Sequence, residues 1–155
     1  MFLTKTYELE DCWDYDTNTY NLAPNSAIAQ IDSFSFTNTG DWEVEWIMNL
    51  PQGANRVVLY NPNNTGTFLG IGASDGNIRR IYWTGSDSSH NSWSYNANHT
   101  IKIVKQNSQF KVYFNNTLLN TITFNDLLNA TTINVGVRNW GNGTGTIRNV
   151  KIKPL

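Results

Sequence analysis

The residues best equipped for chemistry are the run Asp41-Trp42-Glu43-Val44-Glu45. Read as a strand, it places three carboxylates on one face and Trp42, Val44, Trp46 and Met48 on the other. Alternate carboxylates then stand about 6.6 Å apart along the strand. That is near the roughly 5–5.5 Å that a retaining glycoside hydrolysis requires. The same alternation describes an ordinary amphipathic strand, with acids toward water and aromatics toward the core. Asp41 follows Gly40, which puts it at the strand's beginning rather than inside a cleft. The carboxylates are therefore expected to form a solvated face, and no catalytic residue is assigned. A glycoside hydrolase built on positions 41–45 is the alternative.

A second acidic group, Asp11, Asp14, Asp16 and Asn18, offers alternating oxygen ligands that suit a hard cation such as calcium. The glycine and closing glutamate of an EF-hand are missing, so a solvated acidic loop with no metal or other cofactor is expected. Cys12 is the only cysteine, which excludes an internal disulfide and leaves too few ligands for a cysteine-based zinc site. His90 and His99 stand in polar, turn-like surroundings and are read as structural or solvent-exposed. Gly70-Ile71-Gly72 and the glycines of 141–145 lack the strand-to-helix setting of a phosphate loop.

Aromatic residues among turn formers remain. Sugar recognition needs flat apolar surfaces for the C–H faces of pyranose rings and planar polar groups for their hydroxyls. Trp and Tyr supply the first; Asn, Asp and Arg supply the second. Trp13 and Tyr15 fall in the acidic loop. Trp83, Trp93 and Tyr95 flank or occupy a long connection, Gly85–Asn98, beside Asp87 and Asn91. Arg138, Asn139 and Trp140 fall where a strand meets a glycine-rich loop. These eight residues, from Trp83 to Trp140, are the candidate ligand set, with Trp93 and Trp140 as the exposed stacking platforms. Trp42 and Trp46 are assigned to the core.

The elements that must position them follow from composition and pattern. The 155 residues suit one domain able to bury its own core. Charged residues make up 15%, against about 25% in typical soluble domains, while aromatics reach 13%. Polarity comes from Asn, Thr and Ser, which favour turns and pleated edges. A net charge of −1 gives no field to gather nucleic acid. Lys151 with Lys153, and Arg79 with Arg80, read as solvated strand faces. No stretch is long and apolar enough to enter a bilayer, and residues 1–11 do not read as a signal peptide. An extracellular or virion-surface protein released by lysis would fit. The sequons at Asn63, Asn98, Asn115, Asn129 and Asn142 are no more than this composition yields by chance.

Strand-like segments recur at short intervals: 6–10, 27–36, 42–49, 56–60, 67–71, 78–84, 100–105, 110–114, 118–124, 133–138 and 146–153. Residues 125–128 could make one helical turn capped by Asn125. Asn115-Asn116 is read as a two-residue hairpin turn needing φ > 0 at both positions. Direct pairing there sets Leu119 opposite Val112 but leaves Ile122 and Phe124 on the wrong parity. Either a bulge near Asn120 resets the register or the second face is covered too.

The segments HTIKIVKQNSQFKVYFNNTLLNTITF (99–124) and TINVGVRNWGNGTGTIRNVKIKPL (132–155) resemble the C-terminal half of laminin G-like domains. These belong to the concanavalin A-like lectin and glucanase superfamily. DWEVEWIMNL (41–50) looks like that family's early core strand. The resemblance implies an all-β fold, a two-sheet antiparallel β-sandwich or jelly roll. Hydrolases of the superfamily carry an acidic strand motif, Glu-x-Asp-x-Glu. Here Asp41 stands where Glu is expected and Glu43 where Asp is expected. Members include sugar binders, adhesion modules, hydrolases and viral surface proteins, so fold does not choose among them. The aromatic loops favour a non-enzymatic adhesion module for carbohydrate or a glycosylated cell surface. It could be a virion tail or surface component, able to join a homo-oligomer or larger assembly. A structural or decoration protein making protein–protein contacts is the second reading.

Overall fold

The architecture follows from strict alternation along the central strands. A computed structural model describes residues 6–7, 14–22, 29–49, 55–74, 78–92, 94–139 and 145–155. In chain order the strands are β1 (Thr6–Tyr7), β2 (Asp14–Leu22), β3 (Ala29–Thr37), β4 (Trp42–Asn49), β5 (Asn55–Asn61), β6 (Asn64–Ser74) and β7 (Ile78–Trp83). They continue with β8 (Ser86–Ser92), β9 (His99–Gln106), β10 (Gln109–Phe114) and β11 (Thr117–Ile122). A one-turn helix α1 (Asn125–Leu128) precedes β12 (Thr132–Asn139) and β13 (Gly145–Pro154). Among the described residues they form a seven-stranded sheet, β1-β3-β12-β5-β6-β7-β8, and a six-stranded sheet, β11-β10-β9-β4-β13-β2. Pairing is antiparallel except between β1 and β3. The all-β sandwich expected from the sequence is the fold observed.

Burial on β4 alternates without a break, with Trp42, Val44, Trp46 and Met48 inside. Facing them from the other sheet are Phe34 and Phe36 of β3, Leu69 and Ile71 of β6, and Ile133 and Val135 of β12. Phe36 meets the Trp42 ring edge-on, with centroids 4.9 Å apart at 82°. Burying each such side chain contributes about 1.5–3 kcal/mol. Trp42 and Trp46 are core residues, as assigned.

The β10–β11 hairpin turns at Asn115 (φ 46°) and Asn116 (φ 66°), both in the left-handed region. Val112 pairs with Asn120 while Tyr113 pairs with Leu118, so Leu119 is the extra residue of a bulge. The shift sets Ile122 opposite Phe110 and returns it to the core. A bulge, rather than a second covered face, resolves the parity.

Four expectations need correction. The helical turn forms, but Phe124 stands at the N-cap with no side-chain cap, and Asn125 is the first helical residue. The buried Phe124 ring anchors that position, so packing rather than capping sets the start. Residues 85–98 are not one long loop: β8 occupies 86–92 as the edge of the seven-stranded sheet. From Asp14 onward the acidic segment is likewise strand, β2, the edge of the six-stranded sheet, and Tyr15 lies on it. Both segments lack apolar alternation because an edge strand is held by its neighbour's ladder, and polar residues there discourage further pairing. His90 lies on β8 and His99 begins β9, so both are on strands rather than in turns.

Candidate functional site

An open cleft of about 350 Å³ lies where β7 turns into β8. Gly66 and Phe68 of β6 form one wall, and residues 82–87 form the rest. The strands position these groups by parity. Ile81 is fully buried, so Arg80 and Tyr82, its neighbours along β7, take the opposite face. Trp83 shares the parity of Ile81 and packs half-buried against the core, while also lining the cleft. The turn at Thr84-Gly85 is permitted by Gly85, whose φ is +68°. A Cβ there would meet nothing within 4 Å, so it is the backbone angle that calls for glycine.

Asp87 is fixed by an ion pair, Arg80 Nη1 donating to its Oδ2 at 2.6 Å. The two side chains are 34% and 43% exposed, so the pair adds little stability but orients both groups at the cleft. Arg80 Nε is buried without a hydrogen-bond partner among the described residues. The cleft thus combines three aromatic rings with an oriented carboxylate and exposed turn backbone. Stacking surfaces and convergent polar groups suit a polyhydroxylated ligand.

Of the eight candidate residues, Trp83 and Asp87 meet in this cleft. Tyr95 is half-buried against the core and does not line it. Asn91 lies on β8 at the shift between the Ile78–Ser92 and Arg79–His90 pairs. Arg138 and Asn139 end β12, in register with Arg56 and Asn55 of β5. Trp93 and Trp140 lie outside the described residues, as do Asp11, Cys12 and Trp13. Phe68, Arg80 and Tyr82 were missed. The signal was the alternation in Ile78-Arg79-Arg80-Ile81-Tyr82-Trp83, which sends Arg79 and Arg80 to opposite faces rather than to one solvated face.

Several other polar groups have structural partners. Glu45 Oε1 accepts from Lys151 Nζ at 3.0 Å on the outside of the six-stranded sheet. His90 Nε2 and Ser88 Oγ, two residues apart on β8, lie 3.1 Å apart. Asn120 Nδ2 donates to the same Ser88 oxygen at 3.0 Å, tying β11 to β8 across the sandwich edge. Burial, and then the Arg79 charge, hold His90 below the usual imidazole value of 6.5. Thr100 N–H fixes the Asn115 amide at 2.8 Å, and that amide donates to His99 Nδ1 at 3.1 Å. His99 Nε2–H therefore donates to the Ser94 carbonyl at 2.9 Å, a structural clamp. Among the described residues no three His, Cys, Asp or Glu gather as a metal site.

No family model matches the chain, and no curated protein matches it in sequence. Solved structures do match in shape. The carbohydrate-binding module CBM66 from Bacillus subtilis superposes with a TM-score of 0.62 at 12% identity, covering 96% of this chain and 99% of its own. An alginate lyase from Corynebacterium sp. gives 0.60 at 13%, covering 89% and 77%. A tail fiber protein from an E. coli phage gives 0.61 at 13%, covering 89% of this chain and 21% of its own. At such identities the likeness is one of fold alone, and it agrees with the two-sheet jelly-roll β-sandwich described above.

Proposed function

We propose that this chain is a non-enzymatic binding module that takes carbohydrate in the cleft at the β7–β8 turn. The observation that carries this reading is the meeting of Phe68, Tyr82 and Trp83 with an Asp87 carboxylate already oriented by Arg80. Rings of this kind stack on sugar C–H faces, and an oriented carboxylate accepts from hydroxyls. The shape shared with a carbohydrate-binding module over nearly the whole of both chains supports the reading. The fold of a phage tail fiber segment supports a setting at a virion or cell surface. Against hydrolysis by the 41–45 carboxylates stands the Glu45–Lys151 pair, which makes that strand face an ordinary charged surface.

The test is a glycan array probed with the wild type, Tyr82→Ala and Asp87→Asn, each checked for a native melting curve. Binding by the wild type and loss of at least about tenfold in both variants is expected, each removing roughly 1.5 kcal/mol or more. Glycan binding that survives both substitutions would move the site elsewhere. Release of reducing ends from any bound glycan would make the chain an enzyme.

A further inference from the structure

Charge is distributed unevenly around the cleft. Among the described residues that line it, Asp87 alone is charged; the others are glycine, aromatic or hydroxyl-bearing. Lys102, Lys105, Lys111, Lys151 and Lys153 all lie on the six-stranded sheet. Arg79 takes the opposite face of β7 from Arg80, its guanidinium carbon 4.3 Å from the centre of the Phe114 ring. Arg80 stands beside the cleft without lining it, and its charge is matched to Asp87.

That pair is a single-point contact. Arg80 Nη1 donates to Asp87 Oδ2, while Nε is buried without a partner among the described residues. The second carboxylate oxygen, Oδ1, accepts no hydrogen bond among the described residues. At 43% exposure the Asp87 side chain is open to whatever fills the cleft. An ionised carboxylate can only accept, so a ligand facing Oδ1 must bring a donor. Every sugar hydroxyl does so, and a sugar carboxylate cannot. Two like unit charges about 4 Å apart cost about fivefold in affinity even in bulk water, of which Arg80 offsets a part. The same counter-charge lowers the attraction that a bare carboxylate would hold for a cation.

We propose that the cleft selects uncharged sugars, with Asp87 setting the choice against acidic ones and Arg80 balancing it against cationic ones. The inference rests on the carbohydrate reading of the cleft and names the class of sugar.

The experiment measures affinity of the full chain for three matched pairs of oligosaccharides. They are methyl-esterified and free oligogalacturonate, cello-oligosaccharides and their C6-oxidised uronates, and mannan oligosaccharides and oligomannuronate. Binding to at least one neutral member is expected, at least about threefold tighter than to its acidic partner and with a gap that narrows as salt is added. Asp87→Asn should weaken the neutral member and close the gap, because it removes the like charge along with the acceptor. Arg80→Gln leaves Asp87 unbalanced, so it should widen the gap and create a preference for protonated chitosan oligosaccharides over their N-acetylated form. Should Asp87→Asn fail to fold, Arg80→Gln and the salt dependence decide. An acidic member bound as tightly as its neutral partner, or a gap that persists in Asp87→Asn, would overturn the proposal. So would binding to no neutral member, or a chitosan preference already present in the wild type. Acidic glycan binding that Tyr82→Ala abolishes would overturn the charge selection and leave the cleft standing. Neutral glycan binding that Tyr82→Ala leaves intact would overturn the cleft itself, so the two readings fail separately.

Discussion

Asn38 closes one end of the sandwich with a single amide. Its Nδ2 donates to the carbonyls of Leu127, Leu128 and Ala130 at 3.2, 3.2 and 2.7 Å, satisfying the end of α1. Its Oδ1 accepts from Trp42 Nε1 at 3.0 Å and from Lys105 Nζ at 2.8 Å. Burial pulls that Lys105 ammonium below its ordinary pKa, while Asp41 works in the opposite direction. Removing the amide strands several partly buried groups at once, so Asn38→Ala should cost roughly 2–3 kcal/mol in urea unfolding. Asn38→Asp should cost at least as much, since it turns a carboxylate oxygen toward three carbonyls. A loss under about 0.5 kcal/mol, the range of ordinary surface changes, would show that the end is held by other contacts. Nothing in the sequence marks this residue, because its partners are up to 92 positions away. Trp42 and Trp46 were legible by contrast, since each alternates with a polar neighbour on its own strand.

Elements were legible where their chemistry is local. Asn115-Asn116 announces its turn, and the misplaced parity of Ile122 announces the bulge before it. Strands β2 and β8 were not legible, because Asp, Ser and Asn become strand there only through the neighbouring ladder. That misreading also blurred the site, since Asp87 was placed in a loop rather than opposite Tyr82. Strand β8 carries its own pH response. His90 binds a proton less readily in the folded chain than in the unfolded one, because of burial and then Arg79. Its contribution to stability is therefore complete above the unfolded value near 6.5 and is lost as pH falls through the lower folded value. The melting temperature should drop on acidification below about 6.5, and His90→Gln should make that drop shallower. Identical pH slopes in the two proteins would mean that His90 titrates freely.

At the scale of the whole molecule, the two sheets share a core but present unlike outer surfaces. The six-stranded sheet shows lysines balanced by Glu43 and Glu45. The seven-stranded sheet shows buried glycines, the Arg80–Asp87 pair and an aromatic cleft at its β7–β8 corner. Sequence reasoning reached the sandwich because alternation and turns are written along the chain. It reached only two residues of the cleft, because which strands become neighbours is decided by packing between sheets. The most direct test of the account is a backbone amide chemical-shift map of the whole chain, recorded while the best glycan from the array is added. The largest shifts are expected on residues 66–68 and 82–87, with those of β4 and β13 unmoved. Shifts centred on 43–45 and 151–153, or on any surface away from the cleft, would contradict it.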